Sequence, residues 1–110
     1  MFNEVILIGK LVTKPMLKET QGEPELTNMV LKVQRPYNGH TGRKEFDYIQ
    51  CVLWKGIAAQ ICDTCDIGSF IGVKGRLQSK SYMQSQSIEN SIMEVKVEHV
   101  EFLDKHFNEK

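Results

Sequence analysis

The chain has 110 residues, enough for one domain but not two, and its 41% apolar and 25% charged residues exclude a disordered or collagen-like protein. Its 14 Lys and Arg balance 14 Asp and Glu, and this zero net charge argues against a histone-like protein that binds nucleic acid through bulk charge. The charges are unevenly distributed, because residues 1–82 hold 11 basic and 8 acidic side chains and residues 83–110 hold 3 and 6.

The first three predicted elements are β-strands. Residues 2–11 alternate loosely between apolar and polar, and Gly9 within them indicates a bend or bulge. Residues 27–35 alternate again, and residues 45–54 form the clearest strand, with apolar side chains on both faces. The Asn-Gly and Thr-Gly pairs between the second and third strands predict a turn.

In the second half of the chain the apolar pattern changes from the two-residue period of strands to helical spacing and then returns to the two-residue period. Residues 56–66 have apolar side chains at helical spacing and predict one short helix. Residues 69–82 predict a strand with Leu77 facing inward, and residues 91–103 predict a last strand with a bulge near His99, where the inward parity changes. The sequence therefore predicts an all-β fold, a five-stranded Greek-key barrel of the OB type with one short helix between strands 3 and 4.

Neither a membrane span nor a secretion signal is predicted. No run approaches the 18 or more apolar residues that a span needs, and the apolar run at the start follows Glu4 without a small-residue cleavage site. Three cysteines without a signal peptide indicate reduced thiols, so we expect a cytoplasmic protein.

The sequence contains no pattern typical of catalysis. His40, His99 and His106 are scattered, and no glycine-rich phosphate loop is present, so we expect no enzyme activity, no catalytic residues and no cofactor. Cys62 and Cys65 form a Cys-x-x-Cys pair late in the helix, where a thioredoxin-like site would need it at the helix start. We interpret both as small core-side residues and predict no metal site; a metal or redox role is the alternative.

Aromatic and basic side chains share the outward positions of the predicted strands. These positions hold Tyr48, Trp54, Lys74, Arg76, Lys80 and Tyr82. Tyr48 and Trp54 lie roughly 20 Å apart along one strand, and Tyr37 lies in the turn before it. Flat rings offer a stacking surface to any base and interleaved cations neutralise phosphates, so the pattern favours sequence-tolerant binding of single strands.

Two other interpretations of these side chains stay open at this point. Outward rings also cover subunit interfaces or pack under loops, and Phe46 is the ring we expect under a loop. Exposed lysines and arginines are, by default, a solvated surface. A protein-interaction OB domain therefore competes with nucleic-acid binding.

The order and spacing of several segments resemble the bacterial single-stranded DNA-binding proteins, the SSB family of OB folds. The resemblance covers residues 1 to about 103, so we expect one domain over residues 1–103 and a short tail over residues 104–110. The matching segments are Met1-Phe2-Asn3-x-Val5-x-Leu7-x-Gly9-Lys10-Leu11, Val33-x-Arg35, Asp47-Tyr48-Ile49-x-Cys51-Val52-Leu53-Trp54, Gly68-Ser69-x-Ile71-x-Val73-x-Gly75-Arg76-Leu77, Ser79-x-Ser81-Tyr82, Glu94-Val95 and Val100-x-Phe102-Leu103.

The resemblance implies a single-stranded DNA-binding surface and its residues. It assigns base stacking to Tyr37, Tyr48, Trp54 and Tyr82. It assigns phosphate contacts to Lys10, Arg35, Lys55, Arg76 and Lys80, and strand parity adds Lys32 and Lys74. The implied function is to bind and protect single-stranded DNA without sequence preference, in replication, recombination, repair or uptake, close to the nucleoid.

The resemblance also implies partners. Members of the family assemble as homotetramers, partly through the first strand, so Phe2 to Leu11 is the expected subunit contact, with a dimer as the other possibility. The sequence lacks the Gly/Pro/Gln-rich linker and acidic tip of long members, so we expect no recruitment of partners by a tail. The alternative within this class is a primosome-type OB accessory protein that binds DNA and a replication partner.

Overall fold

Five strands and one short helix make up the part of the chain that the structure, a computed structural model, describes: residues 1–15, 26–81 and 91–103. In chain order they are β1 (Val5–Thr13), β2 (Leu26–Asn38), β3 (Lys44–Trp54), α1 (Lys55–Thr64), β4 (Phe70–Ser81) and β5 (Ser91–Phe102). The strands close into a barrel in the order β1-β2-β3-β5-β4. Every neighbouring pair is antiparallel except β3 and β5, which are parallel. The predicted five-stranded barrel with a helix between strands 3 and 4 is confirmed.

The barrel interior is filled by apolar side chains from every strand, and α1 packs against the same cluster. Ala58 and Ile61 of α1 are completely buried. The buried cluster consists of Leu11, Met29, Leu31, Cys51, Leu53, Ala58, Ile61, Cys65, Ile71, Val73, Val95 and Val97. Because successive residues of a strand point to opposite sides, this inner set leaves the intervening positions of each strand on the outer surface. Within the described ranges, no helix is both long enough and apolar enough to span a bilayer.

Leu77 is the one predicted inward residue of β4 that the structure places outside. Its side chain is 42% exposed. Val5, the first residue of β1, lies opposite Gly75 of β4. The pairing between the two strands therefore stops two residues before Leu77, and no residue of β1 covers the Leu77 side chain. The side chain of Asn3 instead exchanges two hydrogen bonds of 2.9 Å with the Leu77 backbone. The prediction was wrong because parity alone does not show where a neighbouring strand stops.

Close backbone contacts require two of the glycines. A Cβ on Gly9 would lie 2.8 Å from the carbonyl oxygen of Lys32, so β1 and β2 can approach there only without a side chain. The bulge of β1 lies further on, where Val12 is the extra residue between the pairs of Leu11 and Thr13. A Cβ on Gly75 would collide with the Lys96 backbone, 2.9 Å from its carbonyl carbon.

The predicted bulge in the last strand is confirmed. Lys74 of β4 pairs with His99 and the next residue, Gly75, pairs with Val97, so Glu98 has no opposite residue. The extra residue moves the inward positions of β5 from odd to even numbers, which allows Val97 and Val100 to face the same interior.

The β2–β3 hairpin projects one aromatic ring. Its register is regular as far as Gln34 opposite Phe46 and resumes at Asn38 opposite Lys44, so three residues of β2 face one of β3. Pro36 lies in this interval, and its missing N–H interrupts the ladder. The predicted turn follows, with Gly42 at φ +75°. Tyr37, just before the turn, is 61% exposed.

Residues 82–90 and 104–110 lie outside the described residues. The predicted stacking residue Tyr82 and the predicted tail fall there. The division of the chain into a domain of residues 1–103 and a tail therefore stays a prediction.

Candidate nucleic-acid interface

A row of cationic and aromatic side chains crosses four strands on the outer surface of the barrel. The register places Phe70 of β4 opposite Lys10 of β1 and Lys10 opposite Lys32 of β2. Lys32 in turn lies opposite Tyr48 of β3, whose ring is 60% exposed. With neighbouring strands about 4.8 Å apart, these four residues, which we call the first row, extend over roughly 14 Å.

Two lysines of this region lie against aromatic rings. The Nζ atom of Lys10 is 5.2 Å from the centre of the Phe70 ring, and that of Lys32 is 4.2 Å from the centre of the Phe46 ring. Both distances fall within the range of cation–π attraction. The region thus presents aromatic rings, on which bases can stack, beside ammonium groups, which can bind phosphates.

Phe46 is a surface residue, contrary to our expectation that it lies under a loop. It is 36% exposed and lies on the same outer side of β3 as Tyr48, two residues away. The partner above it is the Lys32 side chain of β2, and Gln34 is its cross-strand neighbour.

A second group of cations and an aromatic ring lies at the other end of β3, and we call Trp54, Lys96 and Arg76 the second row. Trp54, the last residue of β3, is 41% exposed, and the Nζ atom of Lys96 lies 5.1 Å from its ring centre. Lys96 is on β5, where it pairs with Val52 of β3 on one side and with Arg76 of β4 on the other. The two rows share β3, along which Tyr48 and Trp54 are roughly 20 Å apart.

Arg35 is held by carboxylates at the base of the β2–β3 hairpin. Its Nη2 atom lies 2.7 Å from Oδ1 of Asp47, its Nε atom donates to both Asp47 oxygens at 3.1 Å, and Nη1 lies 3.5 Å from Glu45. Hydrogen bonding to Asp47 raises the pKa of the guanidinium above its ordinary value, and the same hydrogen bonds lower the pKa of Asp47. Two acidic partners therefore already balance the charge that we expected to contact phosphate.

Acid is expected to remove the stabilising effect of this ion pair. Because folding lowers the pKa of Asp47 from 3.8, the pair stabilises the fold above that pH and the effect is lost as the pH falls through the lower folded value. The protein should therefore unfold at a higher temperature than Asp47→Asn at pH 7, and the difference should shrink as the pH falls below 3.8. Thermal unfolding followed by circular dichroism measures both; a difference that persists unchanged at pH 3 contradicts the assignment.

The other predicted phosphate contacts differ in their surroundings. The ammonium group of Lys74 lies 3.0 Å from Glu4, and Lys74 pairs with Ile6 and His99 rather than with a residue of either row. Lys55 is exposed at the start of α1, next to Trp54. Arg76 and Lys80 are exposed on β4, and among the described residues no carboxylate lies within ion-pair distance of either.

The cysteines have the properties of core residues. Burial raises the pKa of the Cys51 thiol to about 12, and burial followed by the charge of Asp66 raises that of Cys65. The half-buried Cys62 thiol donates to the Pro15 carbonyl at 3.2 Å. Reactive thiols need a lowered pKa, and the pKa values of Cys51 and Cys65 are shifted in the opposite direction. No group of three or more possible metal ligands occurs within the described ranges.

Sequence reasoning missed Lys96 and misjudged Phe46. Both hold even-numbered positions, which alternation predicts to point outward, and Phe46 has the same parity as Tyr48. Alternation could therefore have assigned both side chains to the outer surface. What parity could not show was the neighbour across the strand, because that depends on how the barrel closes.

Comparisons with known proteins agree on the identity of the fold and the family. The model of the "Single-strand binding protein family" matches residues 2–103. Single-stranded DNA-binding protein B of Bacillus subtilis is 34% identical over 110 residues, all of this chain and 97% of that protein. Single-stranded DNA-binding protein A of the same organism is 35% identical over 104 residues, 94% of this chain but only 60% of that protein. The chain thus spans almost all of one relative and about three-fifths of the other.

Solved structures have the same OB fold. The Plasmodium falciparum SSB in complex with ssDNA matches 94% of this chain and 96% of its own with a TM-score of 0.76 at 20% identity. A deletion mutant of the Thermus aquaticus single-stranded DNA binding protein matches 94% of this chain and 51% of its own, with a TM-score of 0.72 at 25% identity. Given the family match over residues 2–103 and a relative that aligns from end to end, the chain belongs to the single-strand binding protein family.

Proposed function

We propose that the protein binds and protects single-stranded DNA without sequence preference, in replication, recombination, repair or uptake. The observation that carries the proposal is the pair of rows on the outer surface, in which Tyr48 and Trp54 are exposed beside Lys32 and Lys96. The relatives' names support it, because they describe single-stranded DNA-binding proteins. No catalytic step is part of the proposal.

Stacking explains why the substrate is a single strand. The faces of a base are free only when it is unstacked from its neighbours, as it can be in a single strand. Any of the four bases can then stack on an exposed aromatic side chain. Tyr37 on the hairpin, Tyr48 in the middle of β3 and Trp54 at its end supply three such rings. We propose Tyr82 as the fourth stacking residue from the sequence, and Phe46 as a further contact beside Tyr48.

Phosphates supply the salt-dependent part of the affinity. The phosphate contacts that we propose are Lys10, Lys32, Arg35, Lys55, Lys74, Arg76 and Lys80. They are not equal in strength, because Arg35 and Lys74 must first leave the carboxylates that they contact. Since the net charge of the chain is zero, the affinity must come from these local cations together with stacking rather than from a general field.

A competition experiment tests the proposed substrate. Fluorescence anisotropy of a labelled oligo-dT measures binding, and unlabelled oligo-dT, mixed-sequence single strands and a duplex of equal length compete for the protein. Single strands of either kind should compete within about tenfold of one another, because stacking is sequence-tolerant, and the duplex should compete far more weakly. A duplex that competes as well as the single strands contradicts the proposal.

Salt dependence tests the phosphate contacts on β4. Arg76→Gln and Lys80→Gln should each reduce the slope of log affinity against log salt concentration by about 0.7, the value for one phosphate contact on a single strand. Lys14→Gln is the matched control, because the Lys14 ammonium lies against Asp66 and the Cys62 carbonyl. Slopes equal to that of the unmodified protein for both β4 variants contradict these contacts.

The assembly that we propose is a homotetramer formed partly through the outer side of β1. Ile6 and Ile8 of that strand are 70% and 49% exposed, and they line an apolar groove of about 310 Å³ with Gly72 of β4. Contiguous exposed apolar surface of this kind is typical of protein contacts, and a second copy of the chain offers the same surface. A cytoplasmic, nucleoid-associated location belongs to the same proposal.

Mass measurement in solution tests the assembly. A tetramer supports the proposal and a dimer favours the primosome-type alternative. A monomer at micromolar concentration contradicts contact through β1. Ile6→Glu is the matching variant, since a charge in this apolar contact should dissociate the assembly.

A further inference from the structure

Lys96 and Arg76 form a like-charged cross-strand pair, as Lys10 and Lys32 do in the first row. They lie directly opposite each other on β5 and β4, both on the outer surface, and the described residues place no carboxylate within ion-pair distance of either. Like charges directly opposite on neighbouring strands repel each other. An anion between the two side chains would remove this repulsion, so the pair is suited to bind one.

The ammonium group of Lys96 lies against an aromatic ring. It lies 5.1 Å from the centre of the Trp54 ring, on the side chain that we propose as a stacking surface. An ammonium group and a base cannot occupy the same part of a ring face at the same time. Stacking of a base on that part of Trp54 therefore requires Lys96 to move.

Close packing against Gly75 holds the backbone of Lys96 in place. Only the Lys96 side chain has to move for a base to reach the ring. Gly75 lies against the Lys96 backbone so closely that a Cβ there would be 2.9 Å from the Lys96 carbonyl carbon and 3.1 Å from the Val97 Cα. The neighbouring Val95 and Val97 side chains are buried in the barrel. The flexible four-carbon stem of lysine can swing its ammonium group between two partners without disturbing either strand.

We propose that Lys96 is an exchangeable cation of the DNA-binding surface, a role that rests on the proposed function. In the free protein its ammonium group covers the Trp54 ring. When a base stacks on Trp54, the ammonium group leaves the ring and, together with Arg76, binds the phosphate next to that base. Binding to DNA therefore replaces one weak contact of Lys96 by a charge-assisted contact.

The exchange has a signature that a fixed phosphate contact lacks. Without the Lys96 ammonium group, one phosphate contact is lost, and so is the competitor for the Trp54 ring. Lys96→Gln should therefore bind oligo-dT more weakly than the unmodified protein at low salt, where phosphate contacts count most. At high salt, where phosphate contacts are screened, it should bind more tightly than the unmodified protein, because the competitor for the Trp54 ring is gone.

Titrations of oligo-dT at several salt concentrations over a tenfold range measure this difference. The slope of log affinity against log salt concentration should fall by about 0.7 in Lys96→Gln, so the affinity ratio between the two proteins should change about fivefold over that range. Lys96→Arg should keep the slope, and the Lys14→Gln control should change neither slope nor ratio. In the absence of DNA, acrylamide should quench Trp54 fluorescence more readily in Lys96→Gln.

If the unmodified protein binds oligo-dT, two results overturn the exchange: a Lys96→Gln salt slope equal to that of the unmodified protein, or a lower slope without tighter binding at high salt. Failure of the unmodified protein to bind oligo-dT overturns the proposed function itself, so the two failures are distinguishable. Lys96→Met, which keeps an unbranched stem, serves as the second variant, with circular dichroism to establish that each variant is folded.

Discussion

Replacing both Tyr48 and Trp54 by alanine is expected to weaken binding of oligo-dT by about 2–6 kcal/mol, since each stacked base contributes about 1–3 kcal/mol. The smaller value already corresponds to a loss of about thirtyfold in affinity. The two residues lie roughly 20 Å apart on β3, too far to share one base, so their effects should be close to additive. Anisotropy titration of the double variant and of each single variant measures this.

The controls for this prediction keep the rings. Tyr48→Phe and Trp54→Phe preserve an aromatic face and should retain most of the affinity. The two side chains are 60% and 41% exposed, so their removal leaves no cavity in the core and the double variant should fold. Unchanged affinity in a folded double variant means that bases do not stack on β3.

Gly75→Ala is expected to destabilise the fold by about 3 kcal/mol or more, since overpacking a tight site costs 1–3 kcal/mol even where side chains can move away. Here the added methyl group meets backbone, namely the carbonyl group of Lys96 and the Cα of Val97. β4 and β5 would have to separate next to the bulge at Glu98. Chemical denaturation of both proteins measures the difference in unfolding free energy.

Gly56→Ala is the matched control for this substitution. A Cβ on Gly56 meets nothing within 4 Å, and the residue lies in the first turn of α1, where alanine is the better helix former by about 1 kcal/mol. This variant should be as stable as the unmodified protein or more stable. Equal stabilities of Gly75→Ala and Gly56→Ala contradict the close approach of β4 and β5.

Gly75 also connects the fold to the binding surface. The close approach at Gly75 positions Lys96 beside Arg76 and within reach of Trp54. Any Gly75→Ala protein that remains folded should therefore bind oligo-dT with a smaller salt slope, because Lys96 and Arg76 are no longer held together.

Local patterns in the sequence were sufficient to predict the elements. Alternation identified β2, a run with apolar side chains on both faces identified β3, and the change of period identified α1 between β3 and β4. Even the bulge in β5 was predictable, because Val97 and Val100 can face one interior only if the strand carries an extra residue. Each of these features depends on residues close together in the chain.

Features that depend on pairing between distant strands were not predictable from such patterns. Leu77 has inward parity but no neighbour in β1 to cover it. Arg35 looked available for phosphate, yet the hairpin register brings Asp47 and Glu45 to it. The cation above Trp54 comes from β5, more than 40 positions later in the chain, through the parallel pairing that closes the barrel. Alternation along one strand does not reveal the register between distant strands that produces these contacts.

The most direct test of the account is the fluorescence of Trp54 during titration with oligo-dT at two salt concentrations. Trp54 is the chain's single tryptophan, so the whole signal reports on the proposed stacking site. A base that stacks on the ring should quench this fluorescence, and the affinity measured from the quenching should fall as the salt concentration rises. Fluorescence that stays constant, with no shift of the oligonucleotide on a native gel, would contradict the claim that this surface binds single-stranded DNA.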